Sequence, residues 1–571
     1  MILIKNLSFF LDKKYKLKFF LITFLIFIGI ILETFSIGSF IPLLNFIVKG
    51  KDYFLQNSFV QENNYLFNFF ENNSEKEIIL IFLISLILLF IFKNLFLIFL
   101  SWKKESFNFN LRSNLSSKLF KGFLLRDYKN FYNKNSSDYF SLILNQVSVL
   151  VEGINQFIFF INEILLFFFL FLLLVYVEPR GSLYIVFFLL SLMFLNLFFN
   201  RKVIKKWSQI KFDKDKLQIK SISEGFQLFS YLKVLSLEKL FSNTFSENNK
   251  KVNDASKIQM FVNTMPKHLF EISMIIVLSI LMVVVISKDQ EIINTIPILG
   301  IFILTAIRLL PSFNRLLISI QNIKFSYPAV KTLKEELAKM KNQKIQENQI
   351  TSFKKKISIS HLGFSYGNKT IFDNLNFEIL KGEKIGIKGE TGSGKTSLVN
   401  ILLGLIDINK GKIVLDDQDM TNSKLYKKIK IGYVPQSIFL VDDSIKQNIV
   451  LNNQTNIDER LIEVIKISCL TDFINSLPKK ILTHTGEHAS KISGGQKQRI
   501  GIARALFTKP DILILDEATN ALDGVTEDTI LYNIINKSKD LTVIIISHRD
   551  SSLDKCDKIF EITSKDLKRL K

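Results

Sequence analysis

The sequence has 571 residues, of which 48% are hydrophobic; 74 are Lys or Arg and 52 are Asp or Glu, which gives a formal net charge of +22. A hydrophobic content this high excludes an intrinsically disordered chain. The two cysteines, Cys469 and Cys556, are too few for a disulfide-stapled secreted scaffold. A basic excess is typical of proteins that bind nucleic acid or a membrane surface, and the positions of the apolar residues decide between them.

Six apolar segments lie in the first part of the chain. They cover residues 19–48, 78–102, 157–177, 182–199, 269–287 and 292–310. A helix needs about 20 apolar residues to cross the hydrocarbon core, and these segments lack the polar stripe of a helix that faces water. We therefore predict a six-helix α-helical transmembrane domain over residues 1–330, a charged helical connector over 331–350 and a second domain over 351–571.

The connections between the apolar segments differ in length and charge. Two are long, residues 103–156 and 200–267, and the second of these holds 14 Lys or Arg against 6 acidic residues. Positively charged connections favour the cytoplasmic side. The sequence thus predicts a multi-pass membrane protein with the N-terminus and the second domain in the cytoplasm. Many Lys, Asn, Ile and Phe residues and few Ala residues are typical of an AT-rich bacterial genome, so we expect a bacterial cytoplasmic membrane. Much of the positive charge then reflects topology and attraction to phospholipid, and no nucleic-acid partner is expected.

The second domain mixes strand and helix patterns, as an α/β domain does, and contains a phosphate-binding loop of the form G-x-x-x-x-G-K-[ST]. The loop residues are Gly389, Glu390, Thr391, Gly392, Ser393, Gly394, Lys395 and Thr396, and a helical pattern follows from Ser397. Glycines let successive backbone N–H groups point at phosphate oxygens, and a helix N-terminus adds a favourable dipole. We expect Lys395 to neutralise the β- and γ-phosphates of ATP and Thr396 to bind Mg²⁺.

Two acidic residues end an apolar run later in this domain. Asp516 follows the run Ile512–Leu515, and Glu517 comes next. An apolar strand followed by two acids is common by itself, but combined with a phosphate loop it indicates a catalytic site. Asp516 is expected to bind Mg²⁺, and Glu517 to polarise the attacking water as a general base.

The segment between the phosphate loop and these acids points to a family. It reads Ser493, Gly494, Gly495, Gln496, Lys497, Gln498 and Arg499. It resembles the signature motif of the ATP-binding cassette (ABC) transporters, with Ile492 where a leucine is usual. The resemblance implies that Ser493 and Gly495, with Gly494 and Gln496 beside them, bind the γ-phosphate held by the opposite protomer's phosphate loop.

Four further positions match the same family in chain order. Tyr366 resembles the aromatic residue that stacks on adenine, and Gln436 the glutamine that contacts Mg²⁺ and couples to the membrane domain. Asn520 to Asp523 resemble the D-loop, with Asn520 where serine is common, and His548 resembles the switch histidine near the γ-phosphate. The resemblance thus implies an ATP hydrolase using Mg²⁺, with Gln436 and His548 in the catalytic set and Tyr366 and Asp523 in the nucleotide-binding set.

Six spans followed by one cassette resemble a half-transporter of the type IV ABC exporters over the whole chain. In that family an ATP site is completed only by another cassette, so the resemblance implies a homodimer. Two ATP molecules would close the cassettes and turn a cavity outward, and hydrolysis would reset it, as a ligand-biased two-state switch. Coupling helices near residues 132–138 and 224–231 would dock on the cassette.

The substrate is less explicit in the sequence. Arg308 and Arg315 lie seven residues apart, nearly two helical turns, so they share roughly one face, and Lys267 lies at the entry of the fifth segment. Charges at membrane depth usually face a cavity, where this set would bind an anionic headgroup. The alternative is an interfacial set that snorkels to phospholipid.

A closer resemblance concerns the transported molecule. The stretch Glu33–Ile37, the residues from Arg308 to Arg315 and the aromatic outer loop 49–77 look like those of the PglK-type lipid-linked oligosaccharide flippases. This implies ATP-driven transfer of a polyprenyl-pyrophosphate glycan between membrane leaflets. An exporter of another lipid, a peptide or a drug stays open. A non-transporting channel or regulator also stays open, although Glu517 and His548 argue against it.

Overall fold

The computed structural model describes residues 9–56, 58–128, 131, 134–177, 179–286, 311–341, 353–421, 428–451, 458–537, 540–563 and 566–571. The chain divides into two compact units. The first comprises Met1–Arg126 and Tyr132–Lys344, and the second comprises Asp127–Phe131 and Ile345–Lys571.

The first unit is helical. Its helices are α1 (Lys13–Gly38), α2 (Phe40–Leu55), α3 (Ser58–Glu62), α4 (Asn64–Asn72), α5 (Glu75–Leu124), α6 (Ser136–Phe140), α7 (Val147–Val177), α8 (Pro179–Gln227), α9 (Phe229–Leu235), α10 (Glu238–Ile286) and α11 (Tyr327–Lys341). A π-helical segment, Ser141–Gln146, joins α6 to α7, and residues 311–325 are also helical.

Three helical stretches among the described residues are long and apolar enough to cross a membrane: Lys13–Leu55, Glu75–Leu124 and Ser136–Leu172. They contain the first two predicted segments and most of the third. The fourth predicted segment lies within α8, and the fifth reaches the end of α10. The sixth, residues 292–310, lies outside the described residues.

The first predicted span is two helices, not one. α1 ends at Gly38 and α2 follows after one residue, with a kink at Gly50 (φ +73°) inside it. The segment 49–77, predicted as a loop, is largely helical. The Phe46 ring centroid lies 5.4 Å from that of Phe54 and 6.0 Å from that of Phe70, within one small apolar cluster. Four phenylalanines of this segment, Phe54, Phe67, Phe69 and Phe70, therefore belong to a local core, whereas Tyr65 is 91% exposed.

α5 continues well beyond its apolar half. It begins with a capping box, in which Ser74 and Glu77 each accept a hydrogen bond from the other's backbone N–H. From Phe107 onward the buried apolar side chains of the helix are spaced four residues apart and form one stripe: Phe107, Leu111, Leu115, Leu119 and Phe123. A one-sided stripe is typical of a helix with water on its other face, and this stripe packs into the main core of the first unit.

A buried ion-pair cluster holds α11 within the first unit. The carboxylate of Glu336, 2% exposed, accepts hydrogen bonds from Arg126 and, at 2.7 Å, from Lys134. Burial acts to raise the pKa of Glu336, but the hydrogen bonds from Lys134 and Arg126 outweigh burial and lower the pKa. The carboxylate is therefore charged at neutral pH. Removing one partner of such a buried pair costs about 3–5 kcal/mol.

The second unit is an α/β domain with two sheets. The strands are β1 (Lys356–Tyr366), β2 (Lys369–Leu380), β3 (Lys384–Gly389), β4 (Lys410–Leu415), β5 (Gln418–Asp419), β6 (Ile431–Val434), β7 (Ile512–Asp516), β8 (Thr542–Ile546), β9 (Lys558–Thr563) and β10 (Asp566–Arg569). One sheet is antiparallel, in the order β2-β1-β4-β5; the other has the order β10-β9-β3-β8-β7-β6. In the second sheet all neighbours are parallel except β10 and β9.

The described part of this unit also contains two 3₁₀-helices, Lys480–Leu482 and Glu487–Ala489, and seven α-helices: α12 (Lys395–Leu402), α13 (Ile445–Val450), α14 (Asp458–Ile467), α15 (Thr471–Ser476), α16 (Gly494–Phe507), α17 (Gly524–Lys537) and α18 (Asp550–Leu553). β7 and β8 are buried at every residue, as expected of parallel strands covered on both faces. The predicted order of a helical domain followed by an α/β domain is confirmed.

The topology of the parallel sheet places three motifs at one edge. The phosphate loop follows β3, Glu517 follows β7, and His548 follows β8 by two residues. β8 lies between β3 and β7. Since ligands bind beyond the carboxyl ends of parallel strands, these residues are expected to face one another.

Candidate nucleotide-binding site

The phosphate loop joins β3 to α12 and depends on glycine at Gly394. This residue has φ +108°, and a Cβ atom there would lie 2.7 Å from Ile371 and 2.9 Å from Phe372. Gly392, with φ +85°, has open space where its Cβ atom would be. The loop is therefore closed against β2 on one side and open on the other, where a phosphate would approach.

Lys395, at the start of α12, has a buried side chain turned back onto this loop. Its ammonium donates hydrogen bonds to the carbonyl oxygens of Gly389, at 2.6 Å, and Glu390, at 3.2 Å. Burial lowers the pKa of Lys395, against the opposing effect of the Glu517 and Asp516 carboxylates. A cation thus lies under the loop, where the sequence predicts the β- and γ-phosphates.

Asp516 ends β7 and is 5% exposed. Burial raises the pKa of Asp516, and the neighbouring Glu517 charge raises it further; the Tyr433 hydroxyl and Lys395 act in the opposite direction. The Tyr433 hydroxyl donates to Asp516 Oδ2 over 3.4 Å. A buried carboxylate beside a second carboxylate suits a divalent cation, whose charge would compensate both.

Glu517 contacts the other two predicted catalytic residues. Its backbone is left-handed, with φ +49°, and its carboxylate accepts hydrogen bonds from Gln436 Nε2 at 2.7 Å and Asn520 Nδ2 at 3.1 Å. His548 Nε2 lies 3.1 Å from Glu517 Oε1. Of the three predicted catalytic residues, Gln436 and His548 therefore each contact Glu517.

The ring nitrogen Nε2 of His548 lies between two charged groups. It is 2.9 Å from Lys395 Nζ and 3.1 Å from Glu517 Oε1. An unprotonated Nε2 accepts from Lys395, whereas a protonated Nε2 donates to Glu517, and one nitrogen cannot do both. The histidine can thus exchange hydrogen-bond partners between the phosphate loop and the carboxylate.

The signature residues form a separate group around the start of α16. Ser493 caps this helix through a capping box with Gln496, and Gln498 accepts a hydrogen bond from the Ala521 backbone at 2.9 Å. A Cβ atom on Gly495 would lie 3.1 Å from the Ala521 carbonyl oxygen. In the part of the chain that the structure describes, no hydrogen bond joins Ser493–Gln496 to Lys395. The signature thus contacts the D-loop of its own chain.

The remaining predicted nucleotide contacts are at the surface. Tyr366, at the end of β1, is 50% exposed, and its ring meets Phe364 edge-on with centroids 4.8 Å apart. Thr391 and Thr396 are exposed, and Ser397 is half-buried. Asp523 accepts a hydrogen bond from the Thr526 backbone at 2.9 Å at the start of α17, and this bond lowers the pKa of Asp523.

A buried network behind the D-loop was not predicted. Glu527, 2% exposed, accepts hydrogen bonds from Thr519, Ser552 and Arg549. Arg549 also donates to the Asn520 carbonyl at 3.1 Å. This network ties the D-loop to the residue after His548. Glu527 lies in a helix start where acidic residues are common on the surface, so only the fold reveals that it is buried.

The three predicted substrate residues differ in environment. Arg315 Nε donates to Glu163 at 2.6 Å, and the Glu163 side chain is 3% exposed. Lys267 lies 3.9 Å from Glu271 with a 57% exposed side chain. Arg308 lies outside the described residues. The sequence did not predict Glu163, which lies 152 positions from Arg315 in the chain.

The loop and its surroundings fit a nucleotide. The Ser393 hydroxyl is buried and has no hydrogen-bond partner among the described residues. A phosphate oxygen bound in the loop would supply the acceptor for this hydroxyl. No group of three or more His, Cys, Asp or Glu that could hold a metal lies in the described ranges. A site built from the Thr396 hydroxyl, the Gln436 amide and Asp516 would instead hold Mg²⁺ with few protein ligands and the phosphates of the nucleotide.

Comparison with known proteins follows the same division of the chain. A family profile described as ABC transporter matches residues 372–520. A Staphylococcus aureus protein (strain bovine RF122 / ET3-1), named provisionally as a multidrug export ATP-binding/permease protein, is 40% identical over 212 residues, 36% of each chain. Its counterpart from strain NCTC 8325 / PS 47 is 39% identical over 212 residues, again 36% of each. The match thus spans about a third of the length of these relatives.

A solved structure matches over nearly the full length. The structure of a bacterial Atm1-family ABC exporter with ATP bound superposes with a TM-score of 0.79 and 17% sequence identity, covering 97% of this chain and 94% of that one. At this identity the likeness concerns the fold. The second unit of this chain therefore belongs to the ABC transporter family, and the chain as a whole has the fold of an ABC exporter.

Proposed function

We propose that the chain is an ATP-driven exporter that works as a homodimer in a bacterial cytoplasmic membrane. The observation that carries this is the contact of Gln436, Glu517 and His548 beside Lys395. A non-transporting scaffold needs no such arrangement of a general base, a switch histidine and a phosphate-binding lysine. The exporter fold and the long apolar helices support the same proposal.

The residues divide the work in a simple way. The open phosphate loop and Lys395 bind the nucleotide phosphates, and Glu517 accepts a proton from the attacking water. Mg²⁺, when bound, neutralises developing phosphate charge. Ser493 to Gln496 carry no hydrogen bond to their own Lys395 among the described residues, which supports a role opposite the phosphate loop of a second copy. Closure of two such cassettes and hydrolysis then drive the switch.

The test is a Glu517→Gln variant of the full chain reconstituted in liposomes. Because a general base typically contributes 10²–10⁴-fold, we expect ATPase activity to fall at least about 100-fold while ATP still binds. Glu463→Gln changes a carboxylate with a 53% exposed side chain and serves as the matched control. Hydrolysis retained by Glu517→Gln at the rate of Glu463→Gln would exclude the catalytic assignment.

For the substrate we propose an amphiphile with an anionic headgroup, namely a polyprenyl-pyrophosphate glycan. Arg315 supports this, because its side chain is 36% exposed and its present counter-ion is a carboxylate that an anionic headgroup can replace. Lys267 and Arg308 complete the proposed set. If the chain is a glycolipid flippase, polyprenyl-pyrophosphate glycan in the liposomes should speed ATP hydrolysis, and labelled lipid should move between the leaflets.

A second candidate is an exporter of another lipid, a peptide or a drug. The provisional multidrug-export names of the Staphylococcus aureus relatives favour it. The same liposomes separate the two: stimulation by apolar cationic drugs, with none by the glycolipid, would support the drug exporter. Arg315→Gln should then leave transport unchanged, whereas for the glycolipid it should lower transport and leave basal ATPase intact.

A further inference from the structure

A cavity of about 150 Å³ lies within the first unit, between α1, α5 and α7. Most of its wall is apolar, with Ile26, Leu100, Ile158 and Phe159 among the lining residues, and its polar lining comes from Ser101, Lys104 and Asn162. An engineered cavity of this size in another protein holds one benzene molecule, and liquid water occupies about 30 Å³ per molecule. The cavity therefore admits a small group and not a whole lipid.

Lys104 is the charge in this cavity. Its ammonium lies 3.6 Å from the centroid of the Phe159 ring, and no salt bridge within 4.0 Å to a described carboxylate is formed. The carboxylates of Glu105, Glu163 and Glu152 act on it at longer range. An aromatic ring attracts an ammonium but does not neutralise it, so the ammonium can still bind an anion in the cavity.

Near the cavity, α5 carries exposed apolar and aromatic side chains. On the same stretch of α5, Ile98 is 66% and Trp102 64% exposed, and Lys103 lies over the rings of Phe99 and Trp102. Exposed aliphatic residues followed by Trp and Lys are typical of a helix leaving the hydrocarbon core. An amphiphile whose apolar chain lies in the hydrocarbon core could therefore present its anionic end to Lys104 from this side.

The cavity is also connected to Arg315. Asn162 Nδ2 donates to Glu163 Oε1 over 3.3 Å, and the same carboxylate holds the Arg315 guanidinium. A ligand that bonds Asn162 would thus disturb the counter-ion of a proposed substrate residue.

We propose that this cavity binds the phosphate end of an anionic polyprenyl amphiphile, with Lys104 as its cation and Ser101 and Asn162 as polar contacts. The apolar chain leaves along the exposed face of α5. The inference rests on the proposed function for the class of substrate, and it adds an entry site that is distinct from Lys267, Arg308 and Arg315.

The test measures binding of farnesyl phosphate to the nucleotide-free full chain in nanodiscs, by native mass spectrometry and calorimetry. A charge-assisted hydrogen bond has the strength to change affinity about tenfold or more, so Lys104→Gln should weaken binding by at least about that factor, and Lys104→Arg should retain it. Lys103→Gln is the matched control and should bind like the unaltered chain. Basal ATPase should be unchanged in all three, which verifies folding.

Three outcomes would overturn the proposal. Farnesol binding as tightly as farnesyl phosphate would indicate an apolar cavity only, and inorganic phosphate binding equally well would indicate a soluble anion site. Equal binding by Lys104→Gln and Lys103→Gln would remove Lys104 from the site. Because the assay needs no hydrolysis or transport, failure of glycolipid translocation would count against the proposed function and leave this measurement intact.

Discussion

Replacing Arg549 by methionine tests whether the buried network of Glu527 stabilises the cassette. The change removes a charge-assisted hydrogen bond to Glu527, which typically contributes about 1.5–3 kcal/mol. It also removes bonds to the carbonyl oxygens of Asn520 and Leu522, at 3.1 and 3.4 Å. Among the described residues Arg549 is the only cation within 4.0 Å of Glu527, so the carboxylate would stay buried without a counter-ion.

The expected loss is about 3 kcal/mol, at the lower end of the range for breaking a buried pair, because the Arg549 side chain is 40% exposed. In a domain of 150–250 residues each kcal/mol shifts Tm by about 2–4 °C, so the cassette Tm should fall by about 6–12 °C. Differential scanning calorimetry of the full chain measures this, and the cassette transition is the one that ATP raises.

The matched control for this experiment is Lys555→Met. Lys555 pairs with Asp528, which lies next to Glu527 in α17. The Lys555 and Asp528 side chains are 30% and 61% exposed. Exposed pairs contribute about 0–1 kcal/mol, so this control should shift Tm by less than about 4 °C. Equal Tm shifts in Arg549→Met and Lys555→Met would show that the buried pair of Arg549 and Glu527 stabilises the cassette no more than an exposed pair does.

Three further predictions follow from the nucleotide site and the cysteines. Gly394→Ala should abolish ATP binding, measured by equilibrium binding of a fluorescent nucleotide, because Cβ would meet β2 at 2.7 Å; binding at the unaltered affinity would contradict the loop geometry. The pKa of Asp516 is raised above its ordinary value of 3.8 in the folded state, so its negative charge destabilises the fold at neutral pH. Asp516→Asn should therefore raise the Tm at pH 7 without Mg²⁺, and this gain should disappear as the pH falls toward 3.8. A gain in Tm that grows on acidification would contradict the prediction. Burial raises the pKa of Cys556 to about 12. A maleimide at neutral pH should therefore label the half-buried Cys469 and spare Cys556, as measured by peptide mass spectrometry. Equal labelling of the two cysteines would show that the region around Cys556 opens.

Asp516 and Glu517 were predicted from the apolar run before them, and Gln436 and His548 from the resemblance to the ABC transporters. Strands β3, β6, β7 and β8 are each followed by one of the predicted motifs, and parallel strands carry such motifs to one edge of a sheet. The contacts of Glu517 with Gln436 and His548 follow from this rule. What the sequence did not indicate is that Asn520, where serine is common, also donates to the Glu517 carboxylate.

The unpredicted features are contacts between distant residues. Glu163 and Arg315 are 152 positions apart, and each alone reads as a polar residue near an apolar helix. The break after Gly38 was missed because hydropathy is the same on both sides of it, and apolar content predicts burial in lipid but not helix continuity. Segment 49–77 resembles a loop by composition, yet it is largely helical and its phenylalanines pack against one another.

The ion pairs of Glu336 have a mechanical consequence. Arg126 is the last residue before the chain enters the second unit, Lys134 comes soon after it returns, and Glu336 precedes the final crossing after Lys344. Three covalent links join the two units, and the Glu336 carboxylate holds together the first-unit ends of all three. Loss of this carboxylate would therefore release the first unit's ends of all three links at once.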